Sequence, residues 1–260
     1  MNETERSSSY GPLFIRPTAR TALGLALLAF AASPAAAGPP FLTDDPEPTE
    51  FRHWEIYAPL FEAEGRGRDF EGSVGAEVNY GLAPDVQLTA AVPVAFAHDA
   101  TGLRSAVGDL ELSVKYRFYH DEAAGVSIAA FPGMSLPTAR RGLGSGHVTA
   151  LLPIWGQKDF GRWSVFGGGG YALNPGAGNR NYWTGGLAVT HQVTDGLLVG
   201  LEADRQGKSE VGGRASTSLG VGAIAQLPKP FRLLASGGPT FSDGGGRAEF
   251  HTFVALGLDF

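Results

Sequence analysis

Residues 247–260 read RAEFHTFVALGLDF, and this stretch decides the fold. Side chains alternate across a β-strand, so the stretch has one apolar face and one mixed face. The apolar face carries Phe250, Thr252, Val254, Leu256, Leu258 and Phe260. A soluble protein seldom exposes such a strand at its end, because the free edge pairs with other chains. The stretch therefore predicts the closing strand of a transmembrane barrel, paired with the first strand at residues 51–63.

The two ends of the chain predict a bacterial outer-membrane protein. Phe260 at the terminus resembles the assembly signal that the barrel-assembly machinery recognises in outer-membrane barrels. At the other end, basic residues precede an apolar run at 22–32, and Ala35-Ala36-Ala37 supplies an A-x-A cleavage pattern. The alternative is a membrane anchor helix, but the run is about half of the ~20 residues that such a helix needs. We therefore expect residues 1–37 to be a signal peptide.

The composition narrows the class of protein further. The net charge of −6 argues against nucleic acid as a partner. The absence of cysteine excludes disulfides and thiolate chemistry, and no histidine spacing is typical of a metal site. We therefore predict no metal and no cofactor. The 38 glycines and the lack of a long helical period favour an all-β chain with many turns.

Alternation and turn chemistry predict a transmembrane antiparallel β-barrel of about 12 strands, although ten or fourteen remain open. The predicted strands span residues 51–63, 71–82, 86–96, 107–118, 125–136, 146–155, 162–173, 180–193, 197–206, 215–227, 231–241 and 247–260. Short turns alternate with longer loops, including loops at 64–69 and 98–106. Outer-membrane barrels place short turns in the periplasm and longer loops outside. Both termini are then expected in the periplasm. The glycine run at 167–170 and Pro132 mark the two weakest strands.

Aromatic residues near the predicted strand ends favour an interfacial girdle. The alternative is a set of core aromatics in a soluble sandwich. The predicted girdle contains Trp54, Tyr57, Tyr80, Phe96, Phe118, Trp155, Trp163, Tyr171, Trp183 and Phe231.

Polar side chains share the face opposite the apolar stripes, and we expect them to line the lumen. The clearest case is the strand at 107–118, which places two acids and two bases on one face. Such a line of charges could orient polar solutes in a narrow pore. Alternatively, the charges pair across the lumen and hold the barrel rigid. The candidates are Glu77, Asn79, Gln87, Thr89, Asp109, Glu111, Lys115, Arg117, Glu202, Asp204 and Arg232.

Residues 38–50 predict a strap that precedes the barrel at 51–260. Its prolines disfavour helix and ladder pairing. Thr43, Asp44, Asp45 and Glu47 give it polar and acidic character. It could be a periplasmic tail or a small plug in the lumen, and we favour a structured strap near the periplasmic mouth.

The run Pro40-Phe-Leu-Thr-Asp-Asp-Pro46, followed by Trp54-Glu55, resembles the mature start of the "MetA-pathway of phenol degradation" family. The aliphatic strand at 107–118 and the terminal Phe260 are similar too. This resemblance implies an outer-membrane transporter or channel for small molecules, often aromatic or apolar. It supplies no site that can be carried over residue by residue.

The predicted function is passive transport of a small-molecule solute through a narrow lumen, with no catalytic residue. The expected partners are outer-membrane lipid and lipopolysaccharide. Basic residues of the outer loops could bind the phosphates of lipopolysaccharide. The alternative is a closed structural or adhesive barrel that acts through its loops. A barrel-embedded lipid hydrolase is less favoured, because it would need a histidine within hydrogen-bond reach of a serine.

Overall fold

The computed structural model describes residues 40–140 and 143–260, so the predicted signal peptide and the first two strap residues lie outside the described residues. Fourteen strand segments are present, and every pairing between them is antiparallel. No helix in these two ranges is long and apolar enough to cross a membrane. The segments are β1 (Trp54–Arg66), β2 (Asp69–Ala83), β3 (Val86–Asp99), β4 (Gly102–Val107), β5 (Leu110–Asp121), β6 (Val126–Ala130), β7 (Gly133–Leu136), β8 (Thr149–Phe160), β9 (Trp163–Leu173), β10 (Tyr182–Thr194), β11 (Leu197–Gln206), β12 (Ser216–Gln226), β13 (Phe231–Ser242) and β14 (Glu249–Asp259).

The fourteen segments build a closed barrel of twelve wall strands. Segments β4 and β5 both pair with β3 and form one interrupted strand, and β6 and β7 likewise share β5 and β8 as neighbours. Strand β14 pairs with β1, which closes the wall. At this seam, Trp54 and Phe260 exchange two backbone hydrogen bonds of 3.0 and 2.9 Å. The predicted all-β barrel of about 12 strands is confirmed.

Period-two alternation separates an apolar outer surface from a polar interior. In β5, Leu112, Val114 and Tyr116 are exposed on the outside, whereas Lys115 between them is fully buried inside. Closure satisfies the backbone hydrogen bonds of every wall strand, and so the apolar stripe can face hydrocarbon. We call the end of the barrel at Trp54 and Phe260 the terminus end, and the opposite end the loop end.

Two of the predicted longer loops are tight turns instead. Strands β1 and β2 continue to Arg66 and Asp69, and β4 begins at Gly102, inside the loop predicted at 98–106. Gly67 and Gly102 have φ of 67° and 105°, a left-handed backbone that glycine adopts without steric cost. The polar residues beside these glycines suggested loops, but they lie in strands that extend to the loop end.

The weak strand predicted at 125–136 is split, whereas the glycine run in β9 is not. Phe131 and Pro132 separate β6 from β7, since proline has no backbone N–H to donate to the ladder. The four glycines at 167–170 pair in continuous register with β8 and β10. A Cβ on Gly168 would lie 2.1 Å from the carbonyl oxygen of Ile154. These glycines therefore allow close backbone approach rather than a bulge.

The aromatic residues near the strand ends lie mostly on the outer surface, and two do not. Trp54, Trp163 and Trp183 are exposed there. Tyr57 and Trp155 are buried inside the barrel, so their assignment to an outer girdle is wrong. Both share their strand face with polar interior residues, and nearness to a strand end does not reveal that face.

Candidate functional site inside the barrel

The strap, described from residue 40 to 50, runs through the interior of the barrel. Phe41 lies among β9, β11 and β12, while Thr49 hydrogen-bonds to Gln87 on β3. Strand β11 lies nearly opposite β3 and β5 in the closed wall, so the strap crosses the lumen. It reaches Glu202, the sixth residue of the ten in β11. The strap therefore lies deeper in the lumen than the mouth of the barrel, which is the position that the sequence predicts.

Lys115 is the centre of the strap's attachment. Its Nζ donates to Asp44 Oδ1 at 3.1 Å and to the carbonyl oxygen of Asp45 at 2.9 Å. Asp45 Oδ1 lies 3.8 Å away, and the Phe131 ring centroid lies 4.6 Å from the same Nζ. The lysine side chain is 0% exposed. A charge removed from water in this way is stable only while its partners stay in place. Strap and wall therefore hold each other.

Arg117 also attaches the strap to this side of the wall, and burial changes the pKa of Asp44. Arg117 pairs with Glu47 of the strap and donates from Nε to Asp85 Oδ1 at 2.7 Å. Burial raises the pKa of the Asp44 carboxyl to about 7, against the lowering effect of the Lys115 ammonium. The strap is thus bound through a cluster whose charge depends on pH near neutrality.

On the opposite wall, the strap is held by its backbone and by one aromatic ring. Glu202 accepts hydrogen bonds from the backbone N–H groups of Leu42 and Thr43 at 3.0 and 2.9 Å. The Phe41 ring is 3% exposed and packs edge-on against Phe166. A Cβ on Gly200 or Gly222 would come within 2.5 or 2.7 Å of the Phe41 ring. These two glycines make the space that Phe41 occupies.

A ladder of polar side chains continues from the strap along β3 and β2. Gln87 accepts from the Thr49 N–H at 2.7 Å and donates from Nε2 to Asn79 Oδ1 at 2.8 Å. Thr89 accepts from the same Nε2 at 2.9 Å, and Asn79 donates to Glu77 Oε1 at 2.8 Å. These buried groups hydrogen-bond to one another, which fixes the part of the wall on which the strap lies.

A second charged cluster lies inside the closing seam. Arg232 of β13 pairs with Glu55 of β1, and its Nη1 lies 3.4 Å from Asp259 Oδ2 of β14. The Tyr57 hydroxyl donates to Glu55 Oε1 at 2.8 Å. One guanidinium therefore ties together the first and last strands of the barrel.

At the loop end, Asp109 holds a loop inside the barrel. Its carboxylate accepts from the N–H groups of Ala139 and Ser145 at 2.9 and 2.7 Å, and from the Ser145 hydroxyl at 2.8 Å. A Cβ on Gly144 would lie 2.6 Å from Asp109 Oδ1, which explains glycine there. Below this loop lies a small cavity of about 50 Å³, partly open to solvent and lined by β2, β3, β5, β7 and the loop itself. We call it the loop-end cavity.

The eleven residues predicted to line the lumen divide between these regions. Gln87, Lys115, Arg117 and Glu202 form the strap's binding surface, and Glu77, Asn79 and Thr89 belong to the hydrogen-bond ladder behind Gln87. Arg232 lies in the seam, Asp109 and Glu111 lie at the loop-end cavity, and Asp204 lies near Gly186 of β10. Sequence reasoning missed Phe41, Glu55, Gly200 and Gly222. Phe41 and Glu55 stand in the stretches that carry the family resemblance, but the two glycines give no signal, because nothing in the sequence connects them to Phe41.

Comparison with known proteins identifies the family. The family described as "Putative MetA-pathway of phenol degradation" matches residues 75–253, more than half of the chain. The chain belongs to this family. The predicted family is therefore confirmed, although residues 40–46 and 54–55, which suggested it, lie outside the matched range. That range contains the strand at 107–118 and the wall residues that bind the strap. No curated protein sequence is significantly similar to this member of the phenol-degradation family.

Solved structures show the fold of this family member. It is similar to an outer membrane channel from Pseudomonas putida F1, with TM-score 0.66 and 16% identity over 83% of this chain and 98% of that one. The translocator domain of the autotransporter NalP from Neisseria meningitidis matches with TM-score 0.47 and 12% identity, over 81% of this chain and 89% of that chain. The first likeness shows an outer-membrane β-barrel fold.

Catalytic and metal chemistry find little support in the described interior. His120 and Ser127 meet on β5 and β6, with Nδ1 and Oγ 2.9 Å apart. Within residues 40–140 and 143–260, no carboxylate bonds to the second ring nitrogen of His120, so the third member of a hydrolytic triad is missing. The same ranges contain no group of three or more acidic or histidine side chains placed to hold a metal ion.

Proposed function

We propose that this protein is an outer-membrane channel or transporter that carries small molecules through its narrow lumen. The observation that carries the proposal is the composition of the interior, where a strap held by buried charges and a partly open cavity lie beside an apolar cluster around Phe41. A barrel needed only as a scaffold gains more from apolar packing, since buried ion pairs add little net stability. Small molecules would pass through this interior, and the strap obstructs their path.

The proposal also includes the class of solute and the orientation of the barrel in the outer membrane. Membership of a phenol-degradation family supports small solutes, including aromatic or apolar ones. The five short turns at the terminus end support a periplasmic position for both termini. Residues 1–37 then direct export as a signal peptide, and the terminal Phe260 serves the barrel-assembly machinery. Lipopolysaccharide surrounds the loop end.

Single-channel recording in planar bilayers tests transport directly. The purified protein should show small conductance steps, and Lys115→Ala should enlarge them because it loosens the strap. Lys229→Ala removes an exposed lysine in a turn at the terminus end and should leave conductance unchanged. The solute class is tested in cells by comparing phenol uptake at limiting concentration with and without the gene.

One observation favours a second function. The strap blocks the lumen at mid-height, so a barrel that never opens would act only as a structural or adhesive surface through its loops. A silent bilayer record for both wild type and Lys115→Ala, together with unchanged phenol uptake, would support this second function and overturn the first.

A further inference from the structure

The space that the Phe41 ring occupies on the inner wall fits one aromatic ring, and we call this space the seat of Phe41. Gly200 of β11 and Gly222 of β12 lie directly opposite each other in the strand register. A Cβ on Gly200 would lie 2.5 Å from Phe41 Cζ, and one on Gly222 would lie 2.7 Å from Phe41 Cε1. The ring of Phe166 forms a T-shaped pair with that of Phe41, with centroids 6.1 Å apart, which is an arrangement that aromatic rings favour. The seat therefore combines a slot over two glycines with one aromatic contact.

The walls of the seat are apolar. Leu198 and Ile224 form the next inward-facing pair toward the terminus end, and they belong to the same buried apolar cluster as Phe41. The methyl group of Thr190 lies 2.7 Å from the position of a Cβ on Gly200. Burying a polar group against such walls is costly. The seat therefore suits an uncharged apolar ring.

The ring is attached to the wall separately from the charges of the strap. The ring end of the strap, residues 40–43, hydrogen-bonds to Glu202 and Ser236. Within the described residues, the ion pairs of the strap start at Asp44, which contacts Lys115 on the opposite wall. The ring end can therefore leave the wall without breaking an ion pair.

A free aromatic molecule competes with the tethered ring for this seat. A group on a short flexible tether acts at an effective concentration of about 1 mM or more. A free ring of equal fit therefore replaces Phe41 once its own concentration reaches the millimolar range. Replacement moves residues 40–43 away from the wall and leaves the charged part of the strap in place.

We propose that the seat of Phe41 is a binding site for small monocyclic aromatic molecules, and that Phe41 is its internal competitor. The guest ring lies over Gly200 and Gly222 and contacts Phe166. A polar substituent of the guest points to the opening of the seat, where the chain of Phe41 enters. This inference rests on the proposed transport function for its biological meaning, since an arriving solute loosens the strap that obstructs its path. Binding itself requires only a folded barrel.

Maleimide labelling of the strap tests this exchange in a barrel whose seat is unaltered. Thr43→Cys places a single cysteine in the ring end of a chain that has none. Phenol at about 10 mM should raise its labelling rate about threefold or more, because phenol competes with Phe41. Cyclohexanol has the same number of ring carbons and the same hydroxyl group but no aromatic face, and it should leave the rate unchanged. Each rate is normalised to that of an exposed cysteine at Asp195.

Calorimetric titration with phenol tests the seat directly. Phe41→Ala empties the seat, so phenol should bind this variant about tenfold or more tightly than wild type. Adding Gly222→Leu fills the empty seat and should weaken phenol binding about tenfold or more. The three atoms nearest to a Cβ on Gly222 belong to Pro40 and Phe41, so the added side chain meets the strap before the wall. The matched control adds Gly196→Leu instead, where a Cβ meets no atom within 4 Å, and should leave the affinity unchanged.

Two results would overturn the inference. One is equal labelling of the cysteine at residue 43 in phenol and in cyclohexanol. The other is equal phenol affinity of Phe41→Ala with and without Gly222→Leu. Phenol uptake without exchange at the seat would overturn this site alone, whereas exchange without phenol uptake or conductance would overturn the transport proposal alone.

Discussion

The two halves of the barrel interior treat charge in opposite ways. Toward the terminus end, Lys115, Arg117 and Arg232 each contact at least one carboxylate, and the strap supplies three of the acids. Toward the loop end, the cavity has carboxylates and, within its described lining, no basic side chain. Both halves belong to the same strands. Charge pairing, rather than the wall, therefore determines which half is filled and which half is open.

Solvent access explains this difference. Lys115 and Asp45 are fully buried, and such groups are tolerated only with partners of opposite charge. Glu71 has an exposed side chain in the lumen, so water can solvate its carboxylate in part. The filled half should therefore respond strongly to the loss of one charge, and the open half weakly.

Lys115→Ala should have the largest effect. It leaves Asp44 and Asp45 buried without a cation, which costs about 3–5 kcal/mol, and the strap should leave the lumen. The chain has no cysteine, so Thr43→Cys in the strap can report its exposure by maleimide labelling. We expect fast labelling in Lys115→Ala and slow labelling in the Lys229→Ala control. Slow labelling in both would show that the ion pairs do not hold the strap.

Asp109→Asn should have the next largest effect, and it acts on the open half. It converts one acceptor oxygen that serves Ser145 into an N–H donor, which should cost about 1.5–3 kcal/mol of loop stability. A cysteine at Ala139 should then be labelled faster. Asp121→Asn alters one hydrogen bond in a turn at the terminus end and serves as the control. If the strap reporter at residue 43 responds as well, the two halves are coupled.

Gly200→Ala should have a smaller effect and removes no charge. The added Cβ would meet the Phe41 ring at 2.5 Å, and overpacking of this kind typically costs about 1–3 kcal/mol, here at the low end because the ring can shift. We expect a modest increase in strap labelling. Gly196→Ala lies in open space and should have no effect. If strap labelling is equally fast in the two variants, Phe41 does not pack between Gly200 and Gly222.

A pH change should have the smallest effect. Burial raises the pKa of Asp44 from the ordinary 3.8 to about 7, so strap docking favours the protonated carboxyl. Docking is then strongest below the ordinary pKa and weakens as the pH rises through about 7. Strap labelling, normalised to an exposed cysteine at Asp195, should rise between pH 6 and about pH 7 and level off above it. Asp44→Asn should abolish this rise, and a rise that persists would assign it to another group.

Much of the wall could be predicted from the sequence because period-two alternation is a local property. The strand at 107–118 shows its outward Leu112 and its inward Lys115 without any knowledge of its neighbours. The sequence predicts loops at Gly67 and Gly102, since a glycine beside polar residues occurs both in long loops and in tight turns. Tyr57 and Trp155 were placed on the wrong face for a similar reason, because position near a strand end does not determine direction.

The sequence by itself determined an all-β barrel with an apolar outside, a polar inside and a closing strand that ends near Phe260. Only the tertiary structure decided what the interior groups contact. Leu42 meets Glu202 across 160 positions of sequence, and Arg232 reaches Tyr57 across 175. Such pairs depend on closure and on the stagger of the strands, which bring together faces of the wall that no local pattern relates. The wall follows from alternation along each strand, whereas the partners of Lys115 and the seat of Phe41 follow from how twelve strands close around the strap.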